Sequence, residues 1–183
     1  GQIIDEWELG LDYLQLMLMN PTQRLPILCL YSNENNTGKS TFGNFQLQLL
    51  GDNAVKVGNN DLTSDFNETY AGKVLAFCEE TLLERKKDSE RIKDMSTAKY
   101  ITVNPKGQRQ FTIDFFCKFQ FYSNNIRMIY VTEYDERYWV RQVPKASKDD
   151  PHLEEKMTKE IPAFLHFLQR RELATKEESR MWM

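Results

Sequence analysis

The sequence predicts an α/β fold, because short apolar runs alternate along the chain with segments that repeat apolar residues at helical spacing. Ile27–Tyr31 and residues 73–78 are dominated by apolar side chains, as expected of strands buried on both faces of a sheet. Between them, Lys39–Leu50 has the spacing of a helix. Residues 100–113 contain two short strand patterns around a turn, which predicts a β-hairpin inserted into the α/β sheet.

Stop signals and turn residues set the bounds of the predicted elements. Asn20-Pro21 ends the first helix, and Gly51-Asp52-Asn53 ends the second. The predicted helices are residues 7–19, 39–50, 64–70, 88–96 and 151–171, and the predicted strands are residues 27–31, 54–57, 73–78, 100–103, 110–113, 117–122 and 138–143. Trp7 lies on the apolar stripe of the first helix, so we expect it to be packed. We divide the chain into an N-terminal helical segment (1–24), a core (25–145) and a C-terminal helical segment (146–183).

The composition is that of a globular protein, with 40% hydrophobic and 28% charged residues among 183. No apolar run approaches the roughly 18 residues that a membrane span needs, so we predict a cytoplasmic protein without a membrane partner. Cys29, Cys78 and Cys117 lie in apolar runs and are expected to be buried and reduced. His152 and His166 lack metal-ligand spacing, and we interpret them as structural. At a net charge of −3, any nucleic-acid contact requires a local basic patch.

The strongest chemical signal is a phosphate-binding loop between the first strand and the second helix. In such a loop, backbone N–H groups at the helix start face the phosphates, Lys39 supplies a positive charge, and the Ser40 hydroxyl is offered to Mg²⁺. Glycine is expected at the two positions that Asn33 and Asn36 occupy. Asparagine tolerates positive φ better than other non-glycine residues, so the loop can still form. The predicted phosphate-binding residues are Asn33, Asn35, Asn36, Thr37, Gly38, Lys39, Ser40 and Thr41. The alternative is an exposed helix start that has this sequence by chance.

Two carboxylates, Glu79 and Glu80, follow the buried strand 73–78. They are expected at the edge of the sheet where α/β proteins bind ligands. We assign Glu79 to Mg²⁺ and Glu80 to the attacking water. The alternative is an acidic loop that caps the following helix.

A third polar group, Ser123-Asn124-Asn125, ends the apolar strand 117–122. The Asn124 amide can both donate and accept hydrogen bonds, which suits it to sensing a γ-phosphate. By itself this sequence is more typical of a turn.

This ordered set of motifs resembles superfamily 3 helicases, the AAA+-type ring ATPases of viruses, phages, plasmids and integrated elements. It is most similar to the primase-helicase branch of phages and mobile elements. The resemblance covers roughly residues 25–143 and implies a P-loop, AAA+-like core that binds ATP and Mg²⁺. It also implies a homo-oligomer, hexameric in the full-length protein, that acts on single-stranded DNA during replication. The departures from the family pattern are Asn33 for glycine and Glu79 for aspartate.

The resemblance also assigns residues beyond these motifs. It implies that Arg137, with Arg141 as second choice, reaches the nucleotide of a neighbouring subunit as an arginine finger. The alternative is a surface ion pair of Arg137 with Asp135 or Glu133.

In the same family a hairpin loop faces the central channel. The resemblance places Lys106 and Gly107 at its tip and makes Lys93 the start of the linking motif. The local positive charge comes from four residues, Lys99, Lys106, Arg109 and Lys118. Tyr100 and Phe111 have strand spacing, which is more typical of core residues than of base-stacking residues. A hairpin tip without DNA contact is the alternative.

The predicted function is therefore an ATP-dependent DNA helicase or translocase domain. Two other classes remain open from the sequence. One is a P-loop nucleotide kinase, although no arginine-rich lid pattern is present. The other is a nucleotide-binding ring-assembly module with weak turnover, which the altered loop at Asn33 would favour.

Overall fold

The computed structural model describes residues 5–83, 85–132, 135–146, 148–179 and 181–182. The helices are α1 (Glu6–Met19), α2 (Lys39–Leu50), α3 (Asn59–Thr63), α4 (Glu68–Ala71), α5 (Lys86–Thr97) and α6 (Leu153–Arg170). The strands are β1 (Ile27–Tyr31), β2 (Ala54–Val57), β3 (Leu75–Cys78), β4 (Tyr100–Val103), β5 (Phe111–Asp114), β6 (Lys118–Ser123) and β7 (Tyr138–Gln142). No helix in these described ranges is both long enough and apolar enough to span a bilayer.

Five strands form one sheet in the order β2-β3-β6-β1-β7, and every pair of neighbours in it is parallel. The predicted α/β class is thus confirmed. Because all five strands run the same way, their carboxyl ends lie along a single edge. The chain leaves β1, β3 and β6 at that edge, and these three strands are contiguous in the order β3-β6-β1. Polar loops far apart in sequence therefore meet there.

Helices cover both faces of the sheet, because successive residues of a strand point to opposite sides. On one face, Leu28 and Leu75 pack in a cluster with α1, α2 and α6. On the other face, Phe119 and Phe121 pack with residues of α3, α4 and α5 such as Ile92. The three cysteines are buried and free, as predicted.

Helix α1 begins where the Asp5 side chain accepts a hydrogen bond from the backbone N–H of Trp7 at 3.0 Å. The Trp7 side chain is 70% exposed, so the expectation that it is packed is wrong. It lies in the first turn, ahead of the buried stretch that starts at Leu11. At the other end of the fold, the Arg171 guanidinium donates to the buried Asp12 carboxylate and so ties α1 to the segment after α6.

The predicted helix at residues 64–70 is wrong in its first half. Ser64 has an extended backbone, and its hydroxyl accepts a hydrogen bond from the N–H of Phe66 at 3.0 Å. This local turn competes with helix formation, as serine side chains often do. The helical residues are instead Asn59–Thr63 before it and Glu68–Ala71 after it. The division of the chain into three segments stays a prediction.

Strands β4 and β5 form a separate antiparallel hairpin, in which Val103 pairs with Phe111 and Tyr100 with Asp114. Tyr100 is 56% exposed and Phe111 is 51% exposed, so the expectation that both belong to the core is wrong. Both segments do form strands, as their spacing predicts. Their aromatic residues are nevertheless exposed, because the hairpin lies outside the main sheet. Only one side of it is covered, by contacts such as Asn67 Nδ2 to the Thr102 carbonyl at 2.9 Å.

Helix α2 approaches the sheet closely at Gly43. A Cβ atom there would lie 2.6 Å from the Phe77 ring and 3.0 Å from the Tyr122 ring, both fully buried. We expect Gly43→Ala to destabilise the fold by about 1–3 kcal/mol, because neither ring has room to move. The urea midpoint measures this. Gly10→Ala in α1 is the matched control, since no atom lies within 4 Å of its Cβ position, and it is expected to be neutral or stabilising. Equal midpoints for the two variants would contradict the close approach.

Candidate nucleotide-binding site

The loop between β1 and α2 has the backbone conformation that anion binding requires. Gly38 has φ +85° and Asn36 has φ +57°, and α2 begins at Lys39 directly after them. Left-handed residues in such a loop turn successive N–H groups toward one side. Among the described non-glycine residues, only Asn36, Glu80 and Trp182 have positive φ. Asn33 is not one of them, so its replacement of glycine imposes no strain.

Lys39 joins this loop to the end of β6. Its ammonium donates to Thr37 Oγ1 at 2.9 Å and to Asn124 Oδ1 at 2.9 Å. The Asn124 amide in turn donates to Asn35 Oδ1 at 2.9 Å. Burial lowers the pKa of Lys39, and the nearby negative charge of Glu80 partly opposes this. The loop between β1 and α2 and the Ser123-Asn124-Asn125 segment are therefore in direct contact.

Glu79, at the end of β3, contacts both Ser40 of α2 and Lys56 of β2. Burial raises the pKa of this carboxyl, but the hydrogen bonds from Lys56 and Ser40 outweigh burial and hold the pKa below its usual value. Its Oε1 atom is buried and has no hydrogen-bond partner in the described structure. A buried carboxylate oxygen without a partner is costly unless a further group satisfies it.

Glu80 has φ +51°, an uncommon conformation for a residue other than glycine, asparagine or aspartate. The side chain of Asn59, the first residue of α3, holds this turn. Its Nδ2 donates to the Glu80 carbonyl at 3.1 Å, and its Oδ1 accepts from the Leu82 N–H at 3.1 Å. Strained backbone of this kind persists where surrounding contacts hold it, and it is concentrated at functional sites.

A buried amide and phenol network fixes α2 against the sheet beneath the site. Gln46 Nε2 donates to Gln120 Oε1 at 2.9 Å and to the Tyr122 hydroxyl at 3.0 Å. Gln120 Nε2 returns a bond to Gln46 Oε1 at 2.8 Å. Since all three side chains are buried and paired, the network holds α2 in one position.

Three residues of this arrangement were missed by sequence reasoning: Lys56, Asn59 and Gln46. Lys56 is a charged residue within an otherwise apolar strand, which weakly indicates that its side chain interacts with another residue. Asn59 lies in a run of Gly and Asn that also reads as a turn, and Gln46 lies on a helix among apolar residues. The partners that bring them into this arrangement, Glu79, Glu80 and Gln120, are at least 21 positions away along the chain, so no local pattern could identify them.

The described residues contain no group of three His, Cys, Asp or Glu side chains arranged to hold a metal ion. The oxygen ligands that meet here are the Ser40 hydroxyl and the Glu79 carboxylate. Mg²⁺ is commonly held by one or two carboxylates together with waters and substrate phosphates, so this donor set fits it.

Arg137 lies away from this edge. Its carbonyl accepts from the N–H of Ile27, at the start of β1, whereas Lys39 lies beyond the end of β1. Its guanidinium donates to Asp135 at 2.7 Å from Nε and at 2.9 Å from Nη2. The alternative ion pair with Asp135 is thus formed within the chain. Glu133, its other suggested partner, lies outside the described residues.

Asp135 also faces the ammonium of Lys93 at 3.4 Å, and the Lys93 side chain is only 2% exposed. Lys93, predicted as the start of the linking motif, is therefore a buried ion-pair partner. Arg141, the second choice for the arginine finger, contacts Glu6 at 3.3 Å and lies over the Trp139 ring at 5.6 Å.

The hairpin presents positive charge at its tip. Lys106 and Arg109 are exposed, Gly107 has φ +73°, and Lys99 lies 5.4 Å from the centre of the Tyr100 ring. Lys118 does not belong to this patch, which corrects the prediction. It is 4% exposed, donates to the carbonyl oxygens of Pro21 and Phe116, and burial lowers its pKa to about 8. Since it opens the buried strand β6, its side chain points into the fold.

Comparison with solved structures identifies similar folds. The apo structure of the NrS-1 C-terminal region (305–718) has a TM-score of 0.81 and 16% identity, covering 96% of this chain and 43% of that chain. An A-form apo structure of the same region has a TM-score of 0.77 and 16% identity, covering 96% and 42%. The chain thus spans less than half the length of these structures. At this identity the likeness is one of fold.

A search of curated protein sequences gave no match. Residues 30–141 match the profile of a family of unknown function, DUF5906. The matched range starts in β1 and ends in β7, so it contains the loop between β1 and α2, Glu79, Glu80, Asn124 and the hairpin. Because it covers more than half of the chain, this protein belongs to the DUF5906 family.

Proposed function

We propose that this chain is the ATP-hydrolysing helicase or translocase domain of a replication primase-helicase, with a P-loop, AAA+-like core. The observation that carries the proposal is the meeting of three separate segments at one sheet edge. Lys39 bonds to Asn124, and Ser40, next to it, is close enough to Glu79 to help lower the pKa of that carboxyl. The fold likeness to the NrS-1 C-terminal region supports the α/β architecture that the proposal requires.

The triphosphate binds at the start of α2. The loop N–H groups and the helix dipole favour negative charge there, and Lys39 supplies a full positive charge. The Lys39 ammonium donates to Thr37 and Asn124. Both are neutral acceptors, so phosphate oxygens can replace them as stronger, charge-assisted partners.

Ser40 and Glu79 are the residues that would hold Mg²⁺, and the unpartnered Glu79 Oε1 supports this role. When bound, the ion screens the charge that develops on the phosphate oxygens. Lys56 neutralises the other oxygen of Glu79. The carboxyl therefore stays ionised at neutral pH, as a metal ligand must.

Glu80 orients and deprotonates the attacking water. Asn59 fixes the backbone of its turn, and the charge of Glu80 is near enough to Lys39 to act on the pKa of that lysine. Asn124 contacts Lys39 directly and responds to loss of the γ-phosphate, because its amide can exchange one partner for another. Glu80 is thus assigned to the chemical step, and Asn124 to detection of the γ-phosphate.

Hydrolysis at the interface of a homo-oligomeric ring requires a cation from the neighbouring subunit. Arg137 is supported for this role by its position, since it lies at the opposite edge from its own loop. Asp135 must release it, or share it, when a neighbour's nucleotide is present.

Single-stranded DNA binds at the hairpin tip through Lys106 and Arg109, with the exposed Tyr100 and Phe111 rings available for stacking. The acidic net charge of the chain makes this local patch necessary. Movement of the hairpin after hydrolysis transports the strand.

Phosphate release with and without single-stranded DNA tests the proposal. We expect DNA to stimulate release, and Lys106→Ala to remove most of the stimulation. Loss of one phosphate contact per engaged subunit should make the slope of log K against log salt shallower by about 0.7. The matched control is Lys87→Ala, an exposed lysine of α5. Equal behaviour of the two variants would place DNA contact elsewhere, and absence of any phosphate release would overturn the proposed activity.

A further inference from the structure

A groove of about 410 Å³ opens between α1, α2 and α6. Its walls are mainly apolar and aromatic: Trp7 and Leu11 from α1, Phe42 and Phe45 from α2, and Met157 and Phe164 from α6. This volume is within the range of pockets that bind small molecules. Trp7, at the rim, is 70% exposed in the described structure. A large aromatic side chain exposed beside an apolar groove is typical of a ligand site.

The groove reaches α2 at Phe42, one helical turn after the proposed phosphate-binding loop. Phe42 follows Lys39 by three residues, a rise of about 4.5 Å along α2. The middle of α1 lies near the start of β1, since the Tyr13 hydroxyl donates to the Pro26 carbonyl at 3.1 Å. The first residue of α1, Glu6, pairs with Arg141 near the carboxyl end of β7. Helix α1 therefore runs opposite to the strands, and its first turn lies near the carboxyl edge. The opening of the groove and the start of α2 are thus at the same edge of the sheet.

The chemistry of the groove indicates a flat aromatic ligand with hydrogen-bond donors. Its polar lining groups are the carboxylates of Glu6 and Glu160, which accept hydrogen bonds but cannot donate them when ionised. Glu6 is engaged with Arg141, whereas Glu160 is exposed on α6. An exocyclic amino group on the ligand could donate a hydrogen bond to the Glu160 carboxylate. A carbonyl oxygen at the same position of the ligand could not donate, and the carboxylate would repel it.

We propose that this groove is the nucleobase subsite, in which Trp7 stacks on a purine and Glu160 accepts a hydrogen bond from its exocyclic amino group. The proposal rests on the proposed function, since it takes the phosphates to be bound at the loop. Two of the three walls come from α1 and α6, which lie outside the residues 30–141 shared with the family. Base selectivity is then a property of the flanking helices, and phosphate binding a property of the family core.

The test compares ATP with inorganic tripolyphosphate, which has the phosphates but no base. We expect the protein to bind ATP more tightly, and Trp7→Ala to weaken ATP binding about tenfold while leaving tripolyphosphate binding unchanged. Phe66→Ala is the control, because Phe66 is an exposed aromatic residue (47%) that does not line the groove. In the unmodified protein, ATP should quench tryptophan fluorescence and tripolyphosphate should not. This second measurement does not depend on the folding of a variant.

Base identity is tested by replacing ATP with ITP, which has a carbonyl oxygen where adenine has its amino group. We expect the protein to prefer ATP and Glu160→Gln to reduce that preference, since an amide can donate to the carbonyl.

Equal affinity for ATP and tripolyphosphate, with no effect of Trp7→Ala, would overturn the subsite and leave the phosphate site standing. Failure to bind either ligand would overturn the proposed function as well. A change of oligomeric mass in Trp7→Ala, with ATP affinity unchanged, would show that a second copy of the chain occupies the groove and would also overturn the subsite.

Discussion

Lys39→Ala is expected to weaken ATP binding about 10- to 100-fold, because hydrogen bonds to charged groups contribute roughly 1.5–3 kcal/mol each. Lys56, whose strand ends at the same edge of the sheet, is already paired with Glu79. Arg137 is at the opposite edge. Titration of the variant with a fluorescent ATP analogue, beside the unmodified protein, measures the loss.

The control for this variant is again Lys87→Ala, which removes the same charge from an exposed position on α5. It should bind ATP as the unmodified protein does. Lys39→Ala should also keep its free energy of unfolding, measured by urea denaturation, within about 0.5 kcal/mol of the value for the unmodified protein, as is usual for substitutions outside the core. Unchanged ATP affinity in Lys39→Ala would mean that the loop does not bind phosphates, whatever its backbone conformation.

Glu80→Gln should have the opposite pattern: ATP affinity is retained and turnover falls by about 10²- to 10⁴-fold, the usual contribution of a positioned general base. The amide keeps the size of the side chain and its φ of +51°, but it cannot take a proton from water. Single-turnover hydrolysis together with ATP titration separates the two effects. Normal turnover would show that Glu80 is only part of the loop after β3.

Glu79→Gln provides the comparison within the same pair of carboxylates. Glu79 contacts Ser40 and Lys56, whereas Glu80 contacts neither, so the two substitutions should differ in kind. Loss of the Glu79 charge should raise the Mg²⁺ concentration needed for activity. If both variants lose only turnover, at all Mg²⁺ concentrations, the assignment of the metal to Glu79 is wrong.

Much of the core architecture was predictable because its signals are local. Strand β1 was predicted at the residues where it is found, and α2 likewise, since apolar periodicity and the Gly51 stop are properties of neighbouring residues. The same holds for β2 and β4, whereas β5 begins and ends one residue later than predicted. The errors arose where a side chain competes locally, as Ser64 does, or where burial depends on what the rest of the chain covers, as for Trp7 and Tyr100.

The sequence by itself determined which residue types follow β1, β3 and β6, and hence which groups are available at the carboxyl edge. Only the tertiary structure decided that Lys39 bonds to Asn124, that Asn59 holds Glu80, and that Lys118 is buried whereas Lys106 is exposed. The reason is physical. Apolar periodicity is a property of a single segment, whereas the order β2-β3-β6-β1-β7 depends on how several segments pack together, and that order places distant side chains within hydrogen-bond reach.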